Sequence, residues 1–234
     1  MPASNAPETA LIVGVGAGLS AALARHFAAR GLRLVLAARD TVKLEELCGE
    51  TGAEAVTCDA ADPRLVDALF AAVDRHLGRL DICVYNPGRR LRGAITELDR
   101  EEVLEALRIT AFGGFLVGQQ AARRMVARGR GCILFTGASA SLEGYAGSAP
   151  FAMGKFALRG LAQSMARELH PQGVHVAHVV IDGQIRSAAR PEPPERPDSM
   201  LDPAAIAATY WHLATQHRSA WSDELVVRPW VEPF

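Results

Sequence analysis

Residues 10–20 read Ala-Leu-Ile-Val-Gly-Val-Gly-Ala-Gly-Leu-Ser, and this stretch limits the fold more than any other. The apolar run Ala10 to Val13 has the length of a buried strand. Gly14, Gly16 and Gly18 then crowd a tight turn, and a helical pattern follows without a gap from Leu19 to Ala29. Strand, glycine turn and helix in that order aim the free N–H groups of the helix start at a phosphate. Glycine suits the turn because a Cβ would block a pyrophosphate's approach. The turn therefore reads as a dinucleotide site, although a βα turn that binds nothing has the same local appearance. Gly-x-Gly-x-x-Gly fails because Leu19 holds its third place, whereas Gly-x-x-x-Gly-x-Gly fits Gly14 and Gly18 with Ser20 in the last place. Ser20 is expected to cost a little closeness between helix and strand.

The same alternation continues along the chain. Apolar strand-like runs occupy Leu32 to Ala38, Ala53 to Cys58, Asp81 to Tyr85, Cys132 to Thr136, Val174 to Ile181 and Leu225 to Val227. Helical spacing separates them: Val42, Leu44, Leu47; then Leu65, Leu69, Ala72, Val73, Leu77; then one long helix over about Glu101 to Ala127, stopped by Gly129 and Gly131. Phe151 to Leu169 and Pro203 to Gln216 complete the set, the latter with Asp202 as N-cap and Pro203 at the first position. The expected fold is α/β, a doubly wound parallel sheet with helices on both faces, in one domain over residues 1–234. One stretch breaks the rhythm: Ala188 to Ser199 holds Pro191, Pro193, Pro194 and Pro197. It cannot form a regular helix or central strand, and it follows the sixth strand at the ligand-binding end of such sheets. It reads as a lid or substrate loop, with a plain solvated connection as the alternative.

Composition removes several function classes. Lys and Arg number 25 against 26 Asp and Glu, so no global field draws the chain to nucleic acid or to an anionic membrane surface. No run reaches the ~18 apolar residues of a membrane span. Met1 to Glu8 lacks the basic-then-apolar pattern of a signal peptide. Cys48, Cys58, Cys83 and Cys132 are scattered, without metal-ligand or redox spacing, so no metal is expected and a reducing cytoplasm is the expected home.

The order of these pieces resembles the short-chain dehydrogenase/reductase family over roughly residues 9–229. The resemblance rests on the glycine turn, Arg39 after the second strand, Asp59 after the third, Asn86-Pro87-Gly88 after the fourth, Lys155 in the helix after the fifth, and Asp182-Gly183-Gln184-Ile185-Arg186-Ser187 after the sixth. It implies a Rossmann fold and a nicotinamide cofactor held by Gly14, Gly16, Gly18 and Leu19. Asp59 would accept a hydrogen bond from adenine, with a helix N-cap as its alternative role. Asn86 and Gly88 would let the backbone pass the adenosine ribose, although Pro87 replaces the family's usual Ala. Gly183, Ile185 and Ser187 match the segment that lines the nicotinamide, with Asp182 where Pro is usual. Members using NAD carry an acid at the end of the second strand. Here Ala38 stands there and Arg39 follows, and Arg pairs with a 2′-phosphate in a forked geometry, so NADP is expected with NAD as the alternative. Lys43 is placed to add charge. The family also implies a homodimer or homotetramer, and Phe156, Leu158, Leu161 and Met165 are expected to supply its apolar patch.

The chemistry of the family needs a Tyr-x-x-x-Lys pair, a Ser thirteen residues before the Tyr, and an Asn in the preceding long helix. This chain reads Phe151-Ala152-Met153-Gly154-Lys155, with Ala138 at the Ser position and Thr110 at the Asn position. Lys155 remains, and it also has the family role of bonding the nicotinamide ribose. Ser139, beside Ala138, and Tyr145, six residues before Phe151, are the candidate substitutes; Ser141, Asp182 and His178 stand behind them. His178 is expected to pack with one hydrogen bond. Arg89, Arg90 and Arg92 are expected to form a solvated basic loop, with contact to an anionic substrate as the alternative. The leading reading is an NADP(H)-dependent oxidoreductase acting on a small carbonyl or alcohol through a rearranged catalytic site. The runner-up is an NADP(H)-binding sensor or partner subunit without turnover.

Overall fold

Along β1 (Thr9–Val13), Ala10 and Ile12 join one layer of buried side chains, and Leu11 and Val13 join the other. A strand with a two-residue period must be apolar throughout when helices cover both its faces. The other strands are β2 (Arg33–Ala38), β3 (Glu54–Thr57), β4 (Ile82–Tyr85), β5 (Gly131–Thr136), β6 (Val174–Ile181) and β7 (Glu224–Val227). In the computed structural model, which describes residues 7–232, they form one parallel sheet in the order β3-β2-β1-β4-β5-β6-β7. Residues 1–6, most of the stretch read above as lacking a leader pattern, lie outside the described residues.

On one face lie α1 (Leu19–Ala28) and α7 (Pro203–Ala214), which pack together and bury Leu23, Phe27, Tyr210 and Leu213. The short α2 (Glu45–Thr51) adds Leu47. On the other face, α3 (Pro63–Leu77), α5 (Gly113–Val126) and α6 (Ala149–Leu169) bury Phe70, Val73, Met125 and Leu158. Asp62 caps α3 by accepting from Arg64 N at 2.8 Å, and Asp202 caps α7 by accepting from Ala204 N at 2.8 Å. Pro follows each cap, where its missing N–H costs no helical bond. No helix among the described residues is long and apolar enough to cross a membrane.

The long helix read over Glu101 to Ala127 is interrupted. It consists of α4 (Arg100–Leu107), a π-helical turn over Arg108–Phe112, and then α5. Two glycines explain the close passage over β4: a Cβ at Gly113 would stand 2.5 Å from Tyr85 Oη, and one at Gly114 would stand 2.4 Å from Leu158 Cδ1. The Tyr85 hydroxyl donates to the Ile109 carbonyl inside the π-helical turn. The apolar periodicity of this helix survives such a turn, so the pattern alone does not reveal it.

Because β1 pairs with β2 on one side and β4 on the other, the chain reverses direction across the sheet at that point. A crevice opens there beyond the carboxyl ends of the strands. The loops that close it follow β1, β4, β5 and β6.

Candidate active site

The crevice begins at the turn after β1. Gly14 has φ +81°, and a Cβ there would stand 2.7 Å from Pro87 Cγ, so only glycine fits. Gly16 and Gly18 differ: nothing lies within 4 Å of a Cβ built on either. Gly18 is the N-cap of α1 and offers no side-chain cap, so the first N–H groups of α1 face that open space. The site thus has the cradle that a pyrophosphate requires, with room at the two glycines and unpaired donors behind them.

Ser20 leaves the turn intact, as expected, and its side chain ties it. Its hydroxyl donates to Gly14 O at 3.1 Å and accepts from Asn86 Nδ2 at 2.7 Å. The side chain of Asn86 therefore joins the end of β4 to the start of α1.

Farther along the crevice rim, Arg39 is exposed at the end of β2 and makes no ion pair among the described residues. The adjacent Asp40 is neutralised, with Lys43 Nζ at 2.9 Å and Val42 N donating at 3.2 Å. Lys43 is thereby occupied, contrary to its expected role as an added positive charge. Asp59 accepts from Ala61 N at 3.0 Å and leaves the capping of α3 to Asp62, so the N-cap alternative fails.

An inner cavity of about 440 Å³ brings together Gly14, Gly16, Gly18, Leu19, Asn86, Gly88, Ser139, Lys155, Gly183 and Ile185. Lys155 is its buried cation. Nζ donates to Thr136 O at 2.6 Å, and burial lowers the ammonium to about 8. A Cβ at Gly88 would stand 3.2 Å from Nζ, so glycine here makes room for the lysine. Phe151, one helical turn earlier, lines the same cavity with its ring centroid 5.8 Å from Nζ. On that ring lies the Arg90 guanidinium, 5.1 Å from the centroid. Two cations thus flank the position from which a phenol is missing. Thr110 is buried in the π-helical turn, and its hydroxyl accepts from Arg89 N at 3.2 Å.

A second, outer cavity of about 520 Å³ adjoins the first, and Arg90, Ser139, Gly183 and Gln184 line both. Tyr145 belongs to the outer cavity, not beside Lys155. Its hydroxyl donates to Glu143 Oε1 at 2.5 Å, and that bond raises the phenol above its ordinary range despite an opposing bond from Ser139. Asp182 also lines the outer cavity but is paired with Arg228 at 2.6 Å. His178 is fully buried behind Gly137, with one carboxylate partner, Glu224, at 3.2 Å. Burial lowers His178 to about 4 and holds it neutral.

Ser187 is not where the sequence placed it. Its backbone pairs with Arg190 in both directions, its hydroxyl accepts from Arg190 N at 3.2 Å, and it lines neither cavity. The tight turn instead sends Arg190 to the inner cavity. Arg90 and Arg92 stay exposed in the loop after β4, as expected, and both also line the outer cavity. The proline-rich stretch supplies Pro193, Arg196 and Ser199 to the outer cavity wall.

Comparison with known proteins agrees with this geometry. Residues 8–193 match the family model of the short chain dehydrogenase. The granaticin polyketide synthase putative ketoacyl reductase 1 of Streptomyces violaceoruber is 32% identical over 182 residues, covering 75% of this chain and 67% of that protein. The cyclic-di-GMP-binding biofilm dispersal mediator protein of Escherichia coli is 36% identical over 191 residues, covering 79% of this chain and 76% of that protein. A metagenomic short-chain oxidoreductase solved in complex with NADP superposes with a TM-score of 0.84 at 28% identity, covering 95% of this chain and 97% of that one.

Proposed function

This chain belongs to the short-chain dehydrogenase family, and from that premise we propose that it is an NADP(H)-dependent oxidoreductase of a small carbonyl or alcohol compound with a rearranged proton donor. The observation that carries the reading is the inner cavity, where the open glycine cradle and the buried Lys155 face the same space. Gly16, Gly18 and the start of α1 would hold the pyrophosphate, and Asp59 would meet the adenine. Gly183, Ile185 and Lys155 would hold the nicotinamide end. When bound, the cofactor supplies or accepts the hydride.

The chain's own residues then handle the oxygen and its proton. Ser139 lines both cavities and would donate a hydrogen bond to the carbonyl oxygen on leaving Tyr145. Lys155, lowered to about 8, is a proton donor matched to neutral pH. Arg90 adds positive potential where negative charge develops on that oxygen. Carbonyl reduction needs Lys155 protonated, so its rate is expected to fall as pH rises through about 8, as read from the pH profile of kcat/KM.

NADPH is expected to bind more tightly than NADH, because Arg39 is exposed without an ion pair and the neighbouring Asp40 is neutralised. Arg39→Ala should weaken NADPH by about 10-fold and leave NADH unchanged, the size of one charge-assisted hydrogen-bonded contact. Titration of both cofactors into both proteins checks this. Equal affinities in the wild type would overturn the NADP assignment. Tight NADPH binding with no turnover across a screen of ketones and alcohols would instead favour the reading of a binder without turnover, to which Phe151 points.

We also propose a homo-oligomer. Leu158 is fully buried beneath Gly114, and Leu161 and Met165 pack against the core, so of the expected apolar patch Phe156 alone is exposed. The exposed apolar side chains on these helices are Leu104, Phe112, Phe115, Met153 and Phe156, with Phe112 and Phe115 stacked at 6.3 Å. Phe115→Arg combined with Phe156→Arg is expected to give a 25 kDa species in sedimentation, where the wild type sediments as a dimer or tetramer.

A further inference from the structure

We infer that the outer cavity recognises an oxyanion, so that the substrate is a small carbonyl or alcohol compound carrying a carboxylate or phosphate group. The inference rests on the oxidoreductase reading and narrows its substrate class.

Three arginines line this cavity from two separate loops. Arg90 and Arg92 come from the segment after β4, and Arg196 comes from the proline-rich segment after β6. None of the three forms an ion pair among the described residues, although the chain as a whole carries a net charge of −1. Three of the nearby acids hold other partners. Asp182 pairs with Arg228 at 2.6 Å, Glu143 holds the Tyr145 hydroxyl, and Glu192 accepts from Met200 N at 2.8 Å while standing 3.9 Å from Arg186. Among the described residues, Glu232 is the one carboxylate lining the cavity without an ion pair. The cavity lining itself therefore sets three arginines without ion pairs against one such carboxylate, and arginine is the side chain whose planar fork matches a carboxylate or phosphate.

Position and order support the same assignment. Arg90 stands over the Phe151 ring and lines both cavities, so it is at the seam between the reacting centre and the anion site. Pro191, Pro193, Pro194 and Pro197 restrict the segment that carries Arg196, and the Glu192 contacts tie that segment down. A restricted loop loses less freedom when it closes on a ligand. At about 520 Å³, the cavity suits a small molecule. Neither Arg92 nor Arg196 lines the inner cavity, which separates their effect from cofactor binding.

The test is calorimetric titration of the NADP⁺-loaded protein with two matched pairs: acetoacetate against methyl acetoacetate, and dihydroxyacetone phosphate against dihydroxyacetone. At least one anion is expected to bind 10-fold or more tightly than its uncharged partner, and the pair that discriminates identifies the oxyanion. In the Arg92→Ala, Arg196→Ala double variant that discrimination should vanish, with the NADPH dissociation constant unchanged. The inference is overturned if neither anion outbinds its partner, or if the double variant keeps the preference. A separate NADPH titration reports on the oxidoreductase reading. Should NADPH fail to bind, the same pairs titrated into the free protein still read the outer cavity.

Discussion

Phe151→Tyr is expected to raise turnover of simple ketones and secondary alcohols by ~10²-fold, the low end for a positioned acid–base group. The ring already lines the inner cavity and is 8% exposed, so a para hydroxyl replaces no large contact. Lys155 and Arg90 flank it at 5.8 and 5.1 Å from the ring centroid. At roughly 6 Å and an effective dielectric of about 20, one cation favours a phenolate by about 3 kcal/mol, or about two pKa units. The phenol would then titrate well below its free value of ~10, within range of neutral catalysis. Ala138→Ser should add a further gain of about 10-fold, because Ala138 lines the same cavity and its extended backbone accepts any residue. NADPH absorbance against a ketone panel measures both variants. If neither gains turnover while both still bind NADPH, the site is not a dehydrogenase site lacking only its phenol. A loss on the natural substrate would mean that another donor already serves the oxygen and the new hydroxyl competes with it.

The sheet was legible because its signals are local. Each strand between helices needs an unbroken apolar run, and each helix needs a 3.6-residue stripe, so the alternation survives in the letters. The glycine turn was legible because Gly14 and the open positions Gly16 and Gly18 answer to backbone sterics alone. What escaped depends on partners distant in sequence. Ser20 and Asn86 meet across 66 positions, and nothing about either residue announces the other. The π-helical turn keeps the apolar pattern of a plain helix, and its only trace is the pair Gly113-Gly114 where a helix former would serve better. Arg90 reads as one member of an exposed basic run until the fold lays it on Phe151. Tyr145 is near Phe151 in the chain, yet its hydroxyl is held by Glu143, two residues away. Ser187 matched a family position, but a local turn with Arg190 consumes its hydrogen bonds.

Lys155→Met is expected to stabilise the fold while weakening its cofactor binding. Burial lowers the lysine to about 8, against ~10.4 for the unfolded chain. The sign follows from proton counting. Below pH 8 both states hold the proton, and the folded state bears the full cost of a buried ammonium. Between about 8 and 10.4 the unfolded chain holds a proton that the folded one has released, so stability rises with pH, by about 3 kcal/mol in total. A methionine of similar length removes that cost. It also removes the bond from Nζ to Thr136 O, a loss of about 1 kcal/mol, so a net gain of about 2 kcal/mol is expected at pH 7. Urea denaturation of both proteins at pH 7 and near pH 10 reads it. The wild type should approach the variant at the higher pH, and a variant less stable than the wild type at pH 7 would refute the buried-charge account. NADPH affinity should fall by about 10-fold in the same variant, since the side chain facing the inner cavity loses its charge and its donors. A residue that destabilises the empty fold and strengthens the loaded one is retained for the ligand. That combination would also distinguish a working cofactor site from a vestigial one, because a vestigial site gives no reason to keep a buried ammonium where methionine packs better.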